Sequence, residues 1–427
     1  MKVNKATWQY VQEHRMDDVR RLALKGGGKS AEVDMSFALQ QIAGWQTARQ
    51  KLPSWAAIDG IIYPPHLNME QCSSEQTARY KAMVVSRNLG ISKCRNLGIS
   101  ESRNAEMSKN QGAFVDLTGG FGIDFYWMSQ QFGKRTYVER NADLCDIARH
   151  NFQQLGLEAE VVCAEAEDFL KEMPPVDALF LDPARRDAHG SRTYGIEDCT
   201  PNVLELLPLL KEKADRIILK LSPMLDWRKA VSDLGGVSEV HIVSVDNECK
   251  ELLLVIRKDL PTNPLLVCVD GDRTFQVIPT VGTHHSHGGN ASFPRWESLV
   301  PTEGTFRELY LYEPNASIMK AGCFREVAEA FAVEPLSANS HLFVSDHEVK
   351  EFPGRKFRIE AMTSMNKQEL KHALAGIDKA NIAVRNFPMT AEQLRKKLKL
   401  KDGGDVFIFG TTLSDGSHQL FICRKIG

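Results

Sequence analysis

The sequence predicts an α/β protein built on a doubly wound, mostly parallel seven-stranded sheet, with a helical region before it and two small α+β domains after it. Three observations carry this expectation. Between residues 112 and 258, short apolar runs alternate with amphipathic helical stretches, the pattern of a parallel sheet covered on both faces. The last two runs, 237–245 and 250–257, are separated by residues 246–249 alone, too few for a crossover helix, so they must form an antiparallel hairpin. Past residue 258 the alternation stops at Pro261, Pro264 and Gly271, and strand-like runs mix with single helices.

Length and composition fit this plan. A chain of 427 residues exceeds one ordinary core and divides into several domains. It is 43% hydrophobic and 25% charged, with 53 basic residues against 55 acidic ones, so any affinity for nucleic acid must come from a local patch. No apolar run approaches the roughly 20 residues of a bilayer span. The start, Met1-Lys2-Val3-Asn4-Lys5, lacks the apolar core of a signal peptide, and a cytoplasmic protein off the membrane is expected. The 9 cysteines are scattered without a C-x-x-C pair and read as reduced structural thiols.

In chain order, residues 1–86 form a helical region. Helical spacing runs over 5–24, with Trp8, Val11 and Val19, and over 33–50, with Met35, Ala38, Ile42 and Trp45, either side of Gly26-Gly27-Gly28. A further helix is expected from about Ser74 to Val85, capped by Ser73 or Ser74. Residues 87–94 and 95–102 are a tandem octapeptide (RNLGISKC, RNLGISES), and the polar stretch 87–111 reads as an exposed linker. Within 112–258, strands are expected at 113–117, 135–138, 160–162, 176–181, 216–221, 237–245 and 250–257, and helices near 122–133, 141–155, 165–173, 201–213 and 225–234. Residues 259–345 read as a small α+β domain with one helix near 317–332. Residues 346–427 carry helices at 367–376 and 390–399 and a closing hairpin across Ser414-Asp415-Gly416.

The residues that carry chemistry sit at the carboxyl ends of the sheet strands, where open α/β sheets bind ligands. The first strand ends in Val115-Asp116-Leu117-Thr118-Gly119-Gly120-Phe121-Gly122-Ile123-Asp124, a glycine turn that lets backbone N–H groups approach a ligand closely. Glu139 ends the second strand, at a spacing that suits a carboxylate accepting both hydroxyls of a ribose. The third strand runs into Cys163-Ala164-Glu165-Ala166-Glu167-Asp168, where Glu167 and Asp168 suit a helix N-terminus. The fourth ends in Leu181-Asp182-Pro183-Ala184-Arg185-Arg186. The fifth ends in Lys220-Leu221-Ser222-Pro223-Met224, where Ser222 reads equally as a helix cap or a substrate contact.

These elements together resemble the class I S-adenosylmethionine-dependent methyltransferases: an acidic residue and spaced glycines after the first strand, here with Thr118 in the first glycine position, and a terminal hairpin. A dinucleotide-binding dehydrogenase fits less well, because G-x-G-x-x-G would need glycine at Phe125. The resemblance implies S-adenosyl-L-methionine as cofactor, held by Asp116, Thr118, Gly119, Gly120, Gly122, Glu139, Glu165 and Asp182. Glu165 stands in the place of the acidic residue that contacts the adenine amino group. Asp182-Pro183 resembles the [D/N]-P-P-[Y/F] element of amino-group methyltransferases, with Ala184 and Arg185 in the last two places. Asp182, Pro183 and Arg185 are thereby the candidate catalytic residues. Arg185 or Arg186 stands in for the aromatic ring by stacking its guanidinium or holding a phosphate, and Tyr194 is an alternative source of that ring.

Beyond the sheet, His284-His285-Ser286-His287 lies in a Gly/Asn-rich stretch without nearby acids and reads as a solvated loop, so no metal is expected. Residues 346–427 contain 15 Lys and Arg against 10 Asp and Glu, with Arg395, Lys396, Lys397, Lys399 and Lys401 crowded at one helix end and Arg355, Lys356 and Arg358 on an earlier strand. Cations on a C-terminal turn also complement the helix dipole, so a plain solvated face is the competing reading. Leu311-Tyr312-Glu313-Pro314-Asn315-Ala316 and Leu394-Arg395-Lys396-Lys397-Leu398 extend the resemblance to a bacterial methyltransferase family with ferredoxin-like and THUMP-like domains after the catalytic one. That resemblance implies methylation of a base amino group in structured RNA, tRNA or rRNA, with Arg395, Lys396, Lys397 and Lys399 gripping the RNA. A methyltransferase for a protein or small molecule, and an RNA-binding protein that no longer turns over, are the competing functions.

Overall fold

The structure is a computed structural model and describes residues 3–25, 32–87, 112–185, 195–258, 263–279, 308–337 and 339–426. The Gly26-Gly27-Gly28 run, the octapeptide stretch beyond Arg87, Arg186, Tyr194, the His284–His287 tract and the side chain of Arg185 lie outside the described residues. The chain forms two compact units, Met1–Val240 with Leu252–Thr262, and His241–Glu251 with Asn263–Gly427.

In the first unit, the helix expected over 5–24 is two helices, α1 (Lys5–His14) and α2 (Val19–Lys25). Local side chains outcompete helix continuation at the break: Asp17 meets His14 Nδ1 at 2.7 Å, and Asp18 Oδ1 accepts the Arg21 N–H at 2.9 Å. α3 (Met35–Lys51) is capped by Asp34, and α4 (Pro53–Ala56) and α5 (His66–Gln71) follow. Ser74, not Ser73, caps α6 (Glu75–Ser86). Residues 61–64, between α4 and α5, are buried, and two side-chain amides satisfy backbone groups there. Gln41 of α3 brackets Tyr63 at 2.8 and 3.0 Å, and Asn151 brackets both backbone groups of Ile62 at 2.9 Å. Trp55 and Tyr63 pack on Phe121 in one apolar cluster, so these helices share a core with the glycine turn.

The sheet region follows as β1 (Ala113–Asp116), α7 (Ile123–Ser129), β2 (Lys134–Glu139), α8 (Ala142–Gln154), β3 (Glu160–Cys163), α9 (Ala166–Glu172), β4 (Val176–Leu181), β5 (Ala184–Arg185), β6 (Cys199–Thr200), α10 (Val203–Lys213), β7 (Ala214–Leu221), α11 (Trp227–Leu234), β8 (Val237–Val245) and β9 (Glu248–Arg257). β3, β2, β1, β4 and β7 are parallel neighbours in that order, and β9 joins β7 antiparallel. β8 and β9 form the expected hairpin. Asp246 and Asn247 both have positive φ (52° and 60°), as a two-residue turn matched to sheet twist requires. β5 and β6 pair separately as a short antiparallel ladder. Phe114, Phe125, Tyr137, Phe152 and Phe180 fill the core against this sheet.

β10 (Leu265–Asp270) and β11 (Arg273–Val277), the first strands of the region past residue 258, pair antiparallel with each other. The rest of the second unit is β12 (Leu309–Pro314), α12 (Ala316–Ala321), α13 (Phe324–Phe331), β13 (Glu334–Pro335), β14 (Phe343–Ser345), β15 (Gly354–Thr363), α14 (Lys367–Ala373), β16 (Asn381–Arg385), α15 (Ala391–Leu398), β17 (Val406–Thr412) and β18 (His418–Lys425). The helix expected over 317–332 breaks into α12 and α13 because Gly322 takes a left-handed conformation (φ 67°). These strands form one seven-stranded sheet, in which β12 pairs with β15. Glu313, buried at the end of β12, accepts from Arg355 Nε at 2.6 Å and Arg385 Nη2 at 2.7 Å, binding β12, β15 and β16 together. Arg355 is thus committed to an internal ion pair.

Candidate functional site

Strand direction puts the ends of β1, β2, β3, β4 and β7 on one edge, and the sequence-predicted residues of this region follow those ends. Gly119 passes so close to Tyr137 that a Cβ would lie 2.1 Å from its ring. Gly122, at φ 86°, starts α7 in a conformation that L side chains rarely adopt. The turn is pinned from both sides: Tyr137 Oη donates to the Gly120 carbonyl at 2.5 Å, and Gly120 N–H donates to Glu139 Oε2 at 3.0 Å. The other Glu139 oxygen accepts the Asn141 N–H at 2.9 Å, fixing the carboxylate plane at the end of β2. Thr118 has a use that a glycine cannot supply. Its hydroxyl accepts the Asp182 N–H at 2.7 Å, tying the loop after β1 to the loop after β4.

Asp116 is buried, with Oδ1 accepting the Thr118 N–H at 2.9 Å and Oδ2 without a hydrogen-bond partner. Burial pushes its carboxyl well above the usual carboxylate range, and the neighbouring Asp124, Asp182 and Glu139 charges push the same way. Asp182 is partly exposed on the rim and Pro183 is buried behind it. Glu165 precedes α9 and is exposed, 3.9 Å from Arg140, and Glu167 and Asp168 occupy the first turn of α9. Asp226, not Ser222, caps α11, while Ser222 Oγ accepts the Met224 N–H at 3.3 Å.

Three charged residues of this site, Lys220, Lys81 and Asp124, were not assigned a role from the sequence. Lys220 Nζ lies 2.5 Å from Asp182 Oδ2 and 3.8 Å from Asp124 Oδ2. Lys81 Nζ, fully buried on α6, lies 3.2 Å from Asp124 Oδ1. Ser73 Oγ donates to Asp124 Oδ2 at 2.7 Å and accepts from Lys81 at 3.1 Å. Burial raises the Asp124 carboxyl, but Lys81 and Lys220 outweigh it and hold the group below its ordinary value. The available signals were a lysine inside the apolar run Ile217–Leu221 and a lysine on the buried face of α6 with Ala78 and Val85.

The groups present suit S-adenosylmethionine. Asp116 has an orphaned buried oxygen, Gly119 leaves a cradle that a Cβ would fill, and Glu139 is a fixed carboxylate at the end of the second strand. Among the described residues no cluster of His, Cys, Asp and Glu has the arrangement of a metal site, and no helix is long and apolar enough to cross a membrane. In the second unit, Arg395 pairs with Asp402 and Lys396 with Glu392 at 3.0 Å. Lys397 and Lys399 have no carboxylate partner among the described residues, and Lys399 ends α15 in a left-handed conformation (φ 59°).

The sheet order, the antiparallel hairpin at its end and the glycine turn between β1 and α7 define the class I methyltransferase fold. Residues 310–353 match the family model of a ferredoxin-like domain, and residues 354–425 that of a THUMP domain-like domain. The chain is similar over nearly its whole length to the crystal structure of a "putative methyltransferase" from Porphyromonas gingivalis W83, at 28% identity and TM-score 0.78, covering 99% of this chain and 98% of that one. Looser likenesses cover parts of it. A "putative class I S-adenosylmethionine-dependent methyltransferase" from Listeria monocytogenes matches at 10% identity and TM-score 0.38 over 62% of this chain and 94% of that one. TrmK of M. capricolum, in complex with S-adenosylhomocysteine, matches at 13% identity and TM-score 0.28 over 36% of this chain and 64% of that one. No curated protein matches the chain.

Proposed function

We propose that this protein is an S-adenosylmethionine-dependent methyltransferase that modifies a base amino group in structured RNA. The observation that carries the reading is the link between the glycine turn and Asp182. Thr118 holds the Asp182 backbone at 2.7 Å, so the residue that would face the acceptor is fixed to the loop that would face the cofactor. Asp116, Thr118, Gly119, Gly120, Gly122, Glu139 and Glu165 would hold S-adenosylmethionine, which supplies an electrophilic methyl group.

The protein's own task is positioning. Asp182 accepts a hydrogen bond from the acceptor amine and aims its lone pair, and Pro183 holds the loop that carries Asp182 and Arg185. Displacement at a methyl group needs little more than such alignment. RNA as the acceptor rests on the THUMP domain-like match at 354–425 and on the lysines of α15 and its end, Lys397 and Lys399, with Arg395 and Lys396 beside them.

The test is single-turnover methyl transfer from radiolabelled S-adenosylmethionine to total RNA and to a protein fraction. Label entering RNA supports the reading, and label entering protein alone replaces it with a protein methyltransferase. Asp182→Ala is expected to cut the transfer rate about 100-fold or more while leaving RNA affinity intact, because its contact belongs to the reacting centre. An RNA-binding protein without turnover would transfer no label at all.

A further inference from the structure

Building on the methyltransferase reading, we propose that Lys220 is a positioning residue that aims the Asp182 carboxylate at the acceptor amine, and that Lys81 of α6 and Ser73 just before that helix support it through Asp124. Four charges alternate in sign from the interior to the rim: Lys81, Asp124, Lys220 and Asp182. Their side-chain exposures rise along the chain from 0% through 11% and 13% to 36%. The series therefore starts in the core and opens where substrate would arrive.

Strand register builds the outer pair. Leu181 pairs with Leu219 across β4 and β7, so the next residues, Asp182 and Lys220, come side by side. Lys220 engages Asp182 at Oδ2, and among the described residues no hydrogen bond is made to Oδ1. A terminal carboxylate torsion is broad and two-fold, so fixing one oxygen also fixes the direction of the other. Lys220 is itself a long, flexible side chain, and it is steadied from behind by Asp124. Asp124 is steadied in turn by Lys81 at 3.2 Å and Ser73 at 2.7 Å.

Stability alone does not explain this arrangement. Ion pairs removed from water recover their desolvation cost with difficulty, and apolar residues of similar size usually serve a core as well or better. The N-terminal region is on this account a support for the reaction centre.

Two measurements on the full chain test the proposal. In the first, protein labelled with 13C at the aspartate carboxyl is examined by NMR, with the Asp182 signal identified by its loss in Asp182→Asn. Lys220→Met is expected to move and broaden that signal. Lys229→Met, which removes an exposed lysine paired with Asp233, is expected to leave it in place. In the second, Lys220→Met lowers single-turnover methyl transfer at saturating RNA and cofactor about 100-fold, with cofactor affinity within about twofold of wild type, and Lys220→Arg recovers part of the rate. If Lys220→Met fails to fold, Lys220→Gln, which keeps a donor but no charge, is read in the same way. An unmoved Asp182 signal, or a wild-type transfer rate in the folded variant, overturns the proposal. Failure of the wild-type protein to bind S-adenosylmethionine in calorimetry would instead remove the methyltransferase reading, while the NMR measurement still decides whether Lys220 orients Asp182.

Discussion

The hydroxyl of Thr118 accepts the backbone N–H of Asp182 at 2.7 Å, joining two loops that are 64 residues apart in the chain. Thr118 occupies a place where the resembling family has glycine, so the first prediction runs against simple restoration of that pattern. Thr118→Gly should strand the Asp182 donor, at a cost of about 1–3 kcal/mol, and lower methyl transfer, whereas Thr118→Ser should keep both. Thermal unfolding and single-turnover rates check this. A Thr118→Gly protein as stable and active as wild type would show that the tie does nothing.

The second prediction concerns Glu139, which accepts from Gly120 and Asn141 through its two oxygens. Glu139→Ala removes the acceptor for the turn as well as the proposed ribose contact. Each charge-assisted hydrogen bond lost is worth about 1.5–3 kcal/mol, so cofactor affinity should fall by about tenfold or more. Calorimetry giving wild-type affinity would take Glu139 out of the site.

Asp116 gives a prediction about pH. Burial raises its folded-state pKa above the unfolded value, so its contribution to stability is fully present below the ordinary carboxylate value and is lost as pH rises through the raised one. Asp116→Asn cannot ionise and escapes that loss. Its melting temperature relative to wild type should therefore climb with pH from the carboxylate range upward and be smallest in acid, while its cofactor affinity drops. A difference in melting temperature that stays flat from about pH 3 to pH 8 would contradict the buried, ionising Asp116 described above.

The basic end of α15 divides into committed and uncommitted cations. Arg395 is held by Asp402 and Lys396 by Glu392, while Lys397 and Lys399 have no carboxylate partner among the described residues. If this surface grips RNA, the double variant Lys397→Ala, Lys399→Ala should reduce the slope of log affinity against log salt by about 1–2 units. Turnover at saturating RNA should stay near wild type. An unchanged slope would make these charges a solvated helix end and nothing more.

Much of this protein was legible in its sequence because the signals are local. Alternating apolar runs specified the parallel strands, the bare 246–249 interval specified the hairpin, and the glycine turn and Asp182-Pro183 marked the strand ends on which the proposed site is built. Even so, two expected helices came out as pairs. At Asp17 and Asp18, and at Gly322, turn chemistry overrode a helical period that is insensitive to one break.

What only the tertiary structure decided is which distant residues share the site. Lys220 meets Asp182 because β4 and β7 are neighbours in register, and Lys81 meets Asp124 because α6 packs against α7. A period of 2 or 3.6 residues tells which face of an element is buried, but not what that face will meet. A lysine on a buried face therefore looks like an anomaly in the sequence until folding brings its carboxylate to it.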